Sequence, residues 1–295
     1  MFGPTASGKS AVALALAERL DGEIVSCDAM QLYRGLPVLT NQPPADDLAR
    51  VPHHLVGVWD LEHSGSVAEY AQLAHAAVDA VADRGRVAIV SGGSGLYLRA
   101  ALADLPLPPQ VAAAQRRRFD ALYEREGPGG AHAVLAAADP RAAAAVHPHD
   151  RRRVVRALEL HAAGASLAPE RDALWAGDTR RPTAIVGLDV PPGLVRERIE
   201  RRTAAMFAQG VVAEVRAARA SHRLSATAER IHGLQDVTDL VEGRIDRAEA
   251  ERRLNVRTRR YAKRQRTWMR RLPGLRLVAA DRDPAQTAAE IAAAL

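Results

Sequence analysis

The sequence predicts an α/β protein whose parallel sheet core is interrupted by a helical insertion. Three observations carry this expectation: a glycine-rich loop runs straight into a helix near the start, short apolar strands alternate with helices, and the middle of the chain is alanine-rich without a convincing strand. In order, residues 3–10 form the loop and 11–20 the helix, and Glu23-Ile24-Val25-Ser26-Cys27 is a short strand ending at Asp28. Residues 67–84 read as a long helix, and 87–91 as a second strand running into Gly92-Gly93-Ser94-Gly95. From about residue 106 to 181 helical stretches are broken at Gly127-Pro128-Gly129-Gly130. Strand character returns at 184–189, helices dominate from 194, and 275–279 is a last strand. The expected organisation is a first part of the core at 1–105, a helical insertion at 106–182, and the rest of the core with a basic C-terminal helix at 183–295. One feature is awkward: only Met1 and Phe2 precede the loop, which normally follows a buried strand. The central strand is therefore expected to be shortened or largely missing, at a cost in stability.

Composition narrows the class. The 295 residues are 47% hydrophobic and 26% charged, enough for a sizeable core in an ordinary globular chain. A single cysteine, Cys27, excludes a disulfide framework and any cysteine-based zinc site. No apolar run approaches the ~20 residues of a membrane span, and the start is unlike a signal peptide, so a cytoplasmic protein without a membrane segment is expected. The net charge is +6, and lysine occurs only at Lys9 and Lys263. Residues 252–271 hold ten basic residues and no acid, and smaller clusters sit at Arg116-Arg117-Arg118 and Arg151-Arg152-Arg153 with Arg156. Separate basic segments suit a polyanion contacted at several points, or solvated helix faces.

Gly3-Pro4-Thr5-Ala6-Ser7-Gly8-Lys9-Ser10 matches G-x-x-x-x-G-K-[ST] in full. Backbone N–H groups of such a loop curl round phosphate oxygens, Lys9 neutralises the terminal phosphate, and the Ser10 hydroxyl can ligate Mg²⁺. The helix that follows points its positive end at the same anion. Asp28 ends a strand, where open parallel sheets face their ligand crevice; it could ligate metal, accept a proton from a nucleophile, or cap a turn. The Gly92–Gly95 turn is either a second anion cradle or a tight turn. The histidine pairs His53-His54, His147/His149 and His222/His232 lack metal-ligand spacing and read as surface or structural residues. Cys27 reads as a buried strand residue. Leu254, Thr258, Tyr261, Gln265, Trp268 and Leu272 would line one face of the C-terminal helix, with Arg253, Arg257, Arg260 and Arg264 on a neighbouring face presented to phosphates.

The segments GPTASGKS, DAMQLYRG, GGSGLYLRA, HPHDRRRVVRALEL and TRRYAKRQRTWMRR, in this order along nearly the whole chain, resemble the bacterial tRNA dimethylallyltransferase (tRNA isopentenyltransferase) family. The resemblance implies a P-loop NTPase-like parallel sheet core with a helical insertion domain that embraces a tRNA anticodon stem-loop. It implies transfer of a dimethylallyl group from dimethylallyl diphosphate to N6 of adenosine 37, in tRNAs reading codons that begin with U. Gly3, Pro4, Thr5, Ala6, Ser7, Gly8, Lys9 and Ser10 would hold the diphosphate with Mg²⁺, Ser10 on the metal. Asp28 would be the general base, Ser94 and Arg116 would assist the leaving diphosphate, and Asp28, Ala29, Met30 and Gln31 would touch the flipped base. Arg152, Arg153, Val154, Val155 and Arg156, with Arg257, Arg260 and Arg264 of the ridge, would contact tRNA, and the enzyme would act as a monomer. Three departures from the family pattern stand out: Ala29 replaces a serine, Gln42 a lysine, and Leu234-Gln235 an aromatic and a cation. The alternative is a P-loop kinase of a nucleotide or small metabolite, which would share the loop, the strand-end aspartate and Arg196 and Arg201. A non-catalytic RNA-binding protein would need neither Lys9-Ser10 nor Asp28.

Overall fold

The computed structural model describes residues 1–107, 113–168, 173–221 and 223–295. It is an α/β architecture with small parallel sheets and many helices, in two compact units: Met1–Asp104 with Gly177–Leu295, and Leu105–Ala176.

In the first unit, α1 (Lys9–Leu20) follows the glycine loop and leads into β1 (Gly22–Ser26). The short helices α2 (Pro37–Thr40) and α3 (Ala45–Arg50) precede the two-residue strand β2 (His53–His54). Helix α4 (Val67–Asp83) begins at a serine N-cap, Ser66 Oγ accepting from Glu69 N at 3.1 Å. Strand β3 (Val87–Ser91) then feeds α5 (Gly95–Leu102). The three strands pair in parallel in the order β2-β1-β3, with Ile24 opposite His53 and Ile89. Strand β2 was not foreseen, because two residues carry no alternation to read.

The place of the awkward first strand is held by two residues. Phe2 N donates to Val186 O at 2.7 Å, Leu188 N donates to Phe2 O at 2.8 Å, and Gly92 N donates to Met1 O at 3.3 Å. Fully buried, Phe2 thereby bridges β3 to the second sheet, the parallel pair β4 (Ile185–Asp189) and β5 (Leu275–Ala279). Both sheets thus line up about Phe2, which presents the loop at residue 3 to the carboxyl ends of the strands.

The second unit is all helical. Between its ends lie α6 (Ala113–Ala138), which breaks at Gly127–Pro128, α7 (Pro140–Ala144) and α8 (Arg151–Ala162). Asp139 caps α7 through Ala142 N, and Asp150 caps α8 through Arg153 N. Leu135, Val154, Val155 and Leu158 are buried in its own apolar cluster. The chain rejoins the core at Gly177, earlier than the expected 183. Residues 177–182 belong with the core because Arg180 N donates to Leu102 O at 2.8 Å and both Arg180 and Arg181 pair with Asp79.

The remaining helices return to the first unit: α9 (Pro192–Ala208), α10 (Val211–Ser221), α11 (Leu234–Val241), the long α12 (Arg247–Met269) and α13 (Pro284–Ala292). Its core gathers Val12, Leu16, Ile24, Ile89, Leu188, Ile199, Val278 and Ile291 between α1, α9, α13 and the sheets.

Candidate active site

The glycine loop is shaped by backbone torsions that its residues permit. Gly8 has φ 88°, a left-handed conformation natural to glycine, and starts α1 directly after it. Helix α1 has no side-chain cap at its N-terminus, so its first N–H groups stay available to an anion. Ser7 Oγ is buried with no hydrogen-bond partner. Thr5, Ala6, Ser7, Gly8, Lys9 and Ser10 line a cleft of about 520 Å³, while Gly3 and Pro4 lie buried behind it. The Lys9 ammonium donates to Pro4 O at 3.0 Å, and burial pulls its pKa down to about 8 against the pull of Asp28.

Strand β1 ends at the same cleft. Asp28 lines it, its Oδ1 accepting from Met30 N at 3.0 Å, which fixes the carboxylate in an Asx-type turn. The turn is itself braced: Gln31 Oε1 accepts from Ser26 Oγ at 3.0 Å, and Gln42 Nε2 donates to the carbonyls of Gln31 and Tyr33 at 3.2 and 2.7 Å. Met30 and Gln31 line the cleft with Asp28, whereas half-buried Ala29 does not. Cys27 is fully buried, and burial pushes its thiol up to about 12, which disqualifies it as a nucleophile.

Helix α9 supplies cations that the sequence reading had not assigned to phosphate. Arg198, Arg201 and Arg202 line the cleft, and Arg202 Nη2 donates to Thr5 Oγ1 at 2.6 Å. Their spacing of three and four on one helical face was the available signal. Helix α12 and His232, just before α11, close another side. His232 lines the cleft, its Nε2 at 3.0 Å from Thr258 Oγ1 and its ring 5.3 Å from that of Tyr261. Burial lowers His232 to about 4, so it is neutral at physiological pH. Met30, Leu39, Val56, Met206 and Leu254 add apolar wall.

The Gly92–Gly95 turn meets the cleft at Gly92 and is closely packed beyond it. A Cβ on Gly93 would come within 2.1 Å of Gln265 Nε2, one on Gly95 within 2.0 Å of the Trp268 ring, and one on Gly92 within 2.5 Å of Cys27 Sγ. Gly93 and Gly95 are glycines because α12 lies against them, and Gly92 because Cys27 does. Ser94 starts α5 without making a side-chain cap and is not among the residues lining the cleft.

Other expected site residues are placed as follows. Arg116 is in the helical unit, its Nε donating to Glu159 Oε1 at 2.8 Å; Arg156 binds the other oxygen of that buried carboxylate at 3.0 Å. Val154 and Val155 are core residues and cannot meet tRNA; the i, i+1 pair faces inward because α8 buries that stripe. Arg152 and Arg153 are exposed and form no ion pair among the described residues. On α12, Arg257 departs from the ridge to hold buried Asp236 through Nε and Nη2 at 2.7 and 3.0 Å. Arg260 and Arg264 remain exposed, Arg264 over the Tyr261 ring. His53 hydrogen-bonds to Val51 O and also lines the cleft, His54 binds Glu23, and His147 and His149 contact one another. His222 lies outside the described residues. Among the described residues no group of three or more His, Cys, Asp or Glu could hold a metal by themselves.

A parallel α/β core that opens a glycine-rich loop, a strand-end carboxylate and three arginines onto one cleft has the make-up of an anion-binding enzyme site. The IPP transferase family model matches residues 31–272, and the chain belongs to that family. A curated tRNA dimethylallyltransferase of Anaeromyxobacter dehalogenans (strain 2CP-C) is 43% identical over 282 residues, 96% of this chain and 94% of that one. The Nocardia farcinica tRNA dimethylallyltransferase is also 43% identical, over 94% of this chain and 88% of its own. The crystal structure of the Bacillus halodurans tRNA isopentenylpyrophosphate transferase superposes with TM-score 0.72 at 32% identity, covering 98% of this chain and 92% of that one. A eukaryotic dimethylallyltransferase acting on tRNA shares the fold at TM-score 0.78 and 22% identity.

Proposed function

We propose that this enzyme transfers the dimethylallyl group of dimethylallyl diphosphate to N6 of adenosine 37 in the anticodon loop of tRNAs reading codons that begin with U. The observation that carries the reading is the shared cleft: an anion-binding loop, cationic α9 and an apolar wall meet at Asp28. The core is then of the P-loop NTPase type, put to use for a diphosphate. The N–H groups of the loop, Lys9 and Arg202 hold the diphosphate, and their positive charge stabilises it as it departs. The apolar wall takes the prenyl chain. N6 attacks C1 of the prenyl group, the C1–O bond breaks with its electrons leaving on diphosphate, and the N6 proton passes to Asp28. Water is excluded from the apolar side, which protects the allylic carbon from hydrolysis.

The donor set fits Mg²⁺: Ser10 is an exposed hydroxyl in the first turn of α1 on the cleft, a hard oxygen of the kind that holds this ion together with substrate phosphate, while Asp28 is kept for the proton. When bound, the ion would neutralise charge on the leaving diphosphate. The exposed arginines of the helical unit and of α12 would follow the tRNA backbone. Arg116, expected to assist the leaving diphosphate, is engaged by Glu159 within the helical unit. The enzyme would act as a monomer in the cytoplasm.

The test is incubation with unmodified tRNA and either labelled dimethylallyl diphosphate or labelled ATP. Mass spectrometry of the digested tRNA should find dimethylallyladenosine at position 37 with the first donor and no label transfer from the second. Label transferred from ATP to a small molecule would install the kinase reading instead.

A further inference from the structure

Gln265 lies on α12, a helix whose exposed side carries Arg260, Lys263 and Arg264, yet the glutamine itself is only 4% exposed. A buried side-chain amide needs partners on both of its ends. It finds them on two different loops. Its Oε1 accepts from Thr5 N at 2.7 Å, in the phosphate loop, and its Nε2 donates to Gly93 O at 2.9 Å, in the turn after β3. These loops lie 88 residues apart in sequence, the separation of Thr5 and Gly93. The fit at Gly93 leaves no room for a side chain, since a Cβ would stand 2.1 Å from Nε2. Thr5 is held again at its hydroxyl by Arg202, at 2.6 Å.

The loop needs such a brace. Its residues are small and bring little packing of their own, and its anion affinity depends on where a few N–H groups point. We infer that Gln265 is a positioning residue for the donor site: its single amide sets the phosphate loop against the Gly92–Gly95 turn, and so fixes the direction of the N–H groups that receive the diphosphate. Gln265 lies in the wall of the cleft, but both ends of its amide are taken by Thr5 N and Gly93 O, so it acts through those two residues. The inference rests on the donor site proposed above.

The experiment uses the full chain with Gln265→Met, which keeps length and loses both hydrogen bonds, and Gln265→Glu. Binding of inorganic diphosphate with Mg²⁺ is measured by calorimetry, and KM for dimethylallyl diphosphate and for tRNA by steady-state kinetics. Loss of the bridge should weaken diphosphate binding and raise the donor KM by about tenfold, as two buried amide hydrogen bonds warrant. The tRNA KM should stay within about twofold, because the amide points away from the exposed cations. The glutamate supplies the decisive readout. Ionised, it offers only acceptors and opposes Gly93 O; protonated, it has one donor and one acceptor, like the native amide. Burial raises its pKa, so the variant should regain donor affinity relative to wild type as pH falls from 8 to 6.

Unchanged diphosphate affinity in Gln265→Met, or equal losses for donor and tRNA, would overturn the inference. So would a Gln265→Glu profile parallel to wild type. Failure of the functional reading shows elsewhere: wild type would then bind diphosphate but transfer no prenyl group, and the calorimetric comparison would still decide the role of Gln265.

Discussion

Asp28 and Lys9 line the same cleft and feel each other's charge, and their environments suit them to different work. The Asp28 carboxylate is oriented by one bond from Met30 N to Oδ1. Asp28→Asn keeps an acceptor for that bond and loses the base. Turnover in single-turnover assays should fall by about 10²–10⁴-fold, the usual worth of a positioned proton acceptor, with tRNA affinity held within a few-fold. Near-normal turnover would reduce Asp28 to a turn residue. Lys9 has the opposite problem, because burial disfavours its charge and brings its pKa to about 8. The folded state therefore carries a charged-lysine penalty at low pH that is relieved as pH rises through about 8 towards the unfolded value near 10.4. Anion binding needs the charged form, so donor affinity should move the other way and weaken as pH rises above about 8. Lys9→Arg, which stays charged, should flatten that donor KM profile between pH 7 and 9. An equally steep profile in the arginine variant would place the titration elsewhere. The motif made Lys9 and Asp28 legible in the sequence. Arg202 was not, because no loop motif names it and its partner Thr5 is 197 residues away.

Helix α12 shows what periodicity reads and what it misses. Leu254, Thr258, Gln265 and Leu272 of the expected seam are all buried, with Tyr261 and Trp268 partly so. The ridge beside it is less uniform than its spacing suggested. Arg257 is drawn off by Asp236, a nearly fully buried carboxylate on α11, and ion pairs between helices leave no mark on the periodicity of either. The glycine turn taught the same lesson: its composition fits an anion cradle and a close-packed joint equally, and only the position of Gln265 and Trp268 distinguishes them. The two arginines should therefore separate on mutation. Arg260→Gln should weaken all substrate tRNAs alike and make the slope of log K against log salt shallower by about 0.7–0.9, one phosphate contact. Arg257→Gln strands a buried carboxylate and should cost about 1–3 kcal/mol of stability with little change in slope. Denaturant melts and a salt series on both variants check this. Equal slopes for Arg260→Gln and wild type would make the ridge a solvated face.

At the scale of the whole molecule, the division of labour between the two units was readable from composition: strands vanish and alanine helices take over where the helical unit begins. Its far boundary was not, because residues 177–182 lack strand or helix character and are claimed for the core by Leu102 O and Asp79. Nor could spacing reveal that Val154 and Val155 are buried while Arg152 and Arg153 just before them are exposed. The clusters of cations divide by whether an acid is at hand. In the helical unit Arg151 pairs with Asp120 and Glu124, and Arg116 and Arg156 share Glu159, which leaves Arg152 and Arg153 exposed and without ion pairs among the described residues. Those two cost nothing to redirect towards a polyanion, since no internal pair has to break. Joint replacement, Arg152→Gln with Arg153→Gln, should leave the unit folded because its apolar cluster is untouched. Affinity for tRNA should drop and the salt slope become shallower by about 1.4–1.8 for two contacts. Donor KM at saturating tRNA should not change, because the proposed diphosphate site, the loop and α9, belongs to the other unit. Filter binding across a salt series, with donor kinetics on the same preparation, tests all three expectations. An unaltered slope would remove the helical unit's arginines from the tRNA track and leave α12 to carry it. A raised donor KM would mean that the arginines of α8 serve the donor as well as the tRNA, and that the two binding events are not separable by unit.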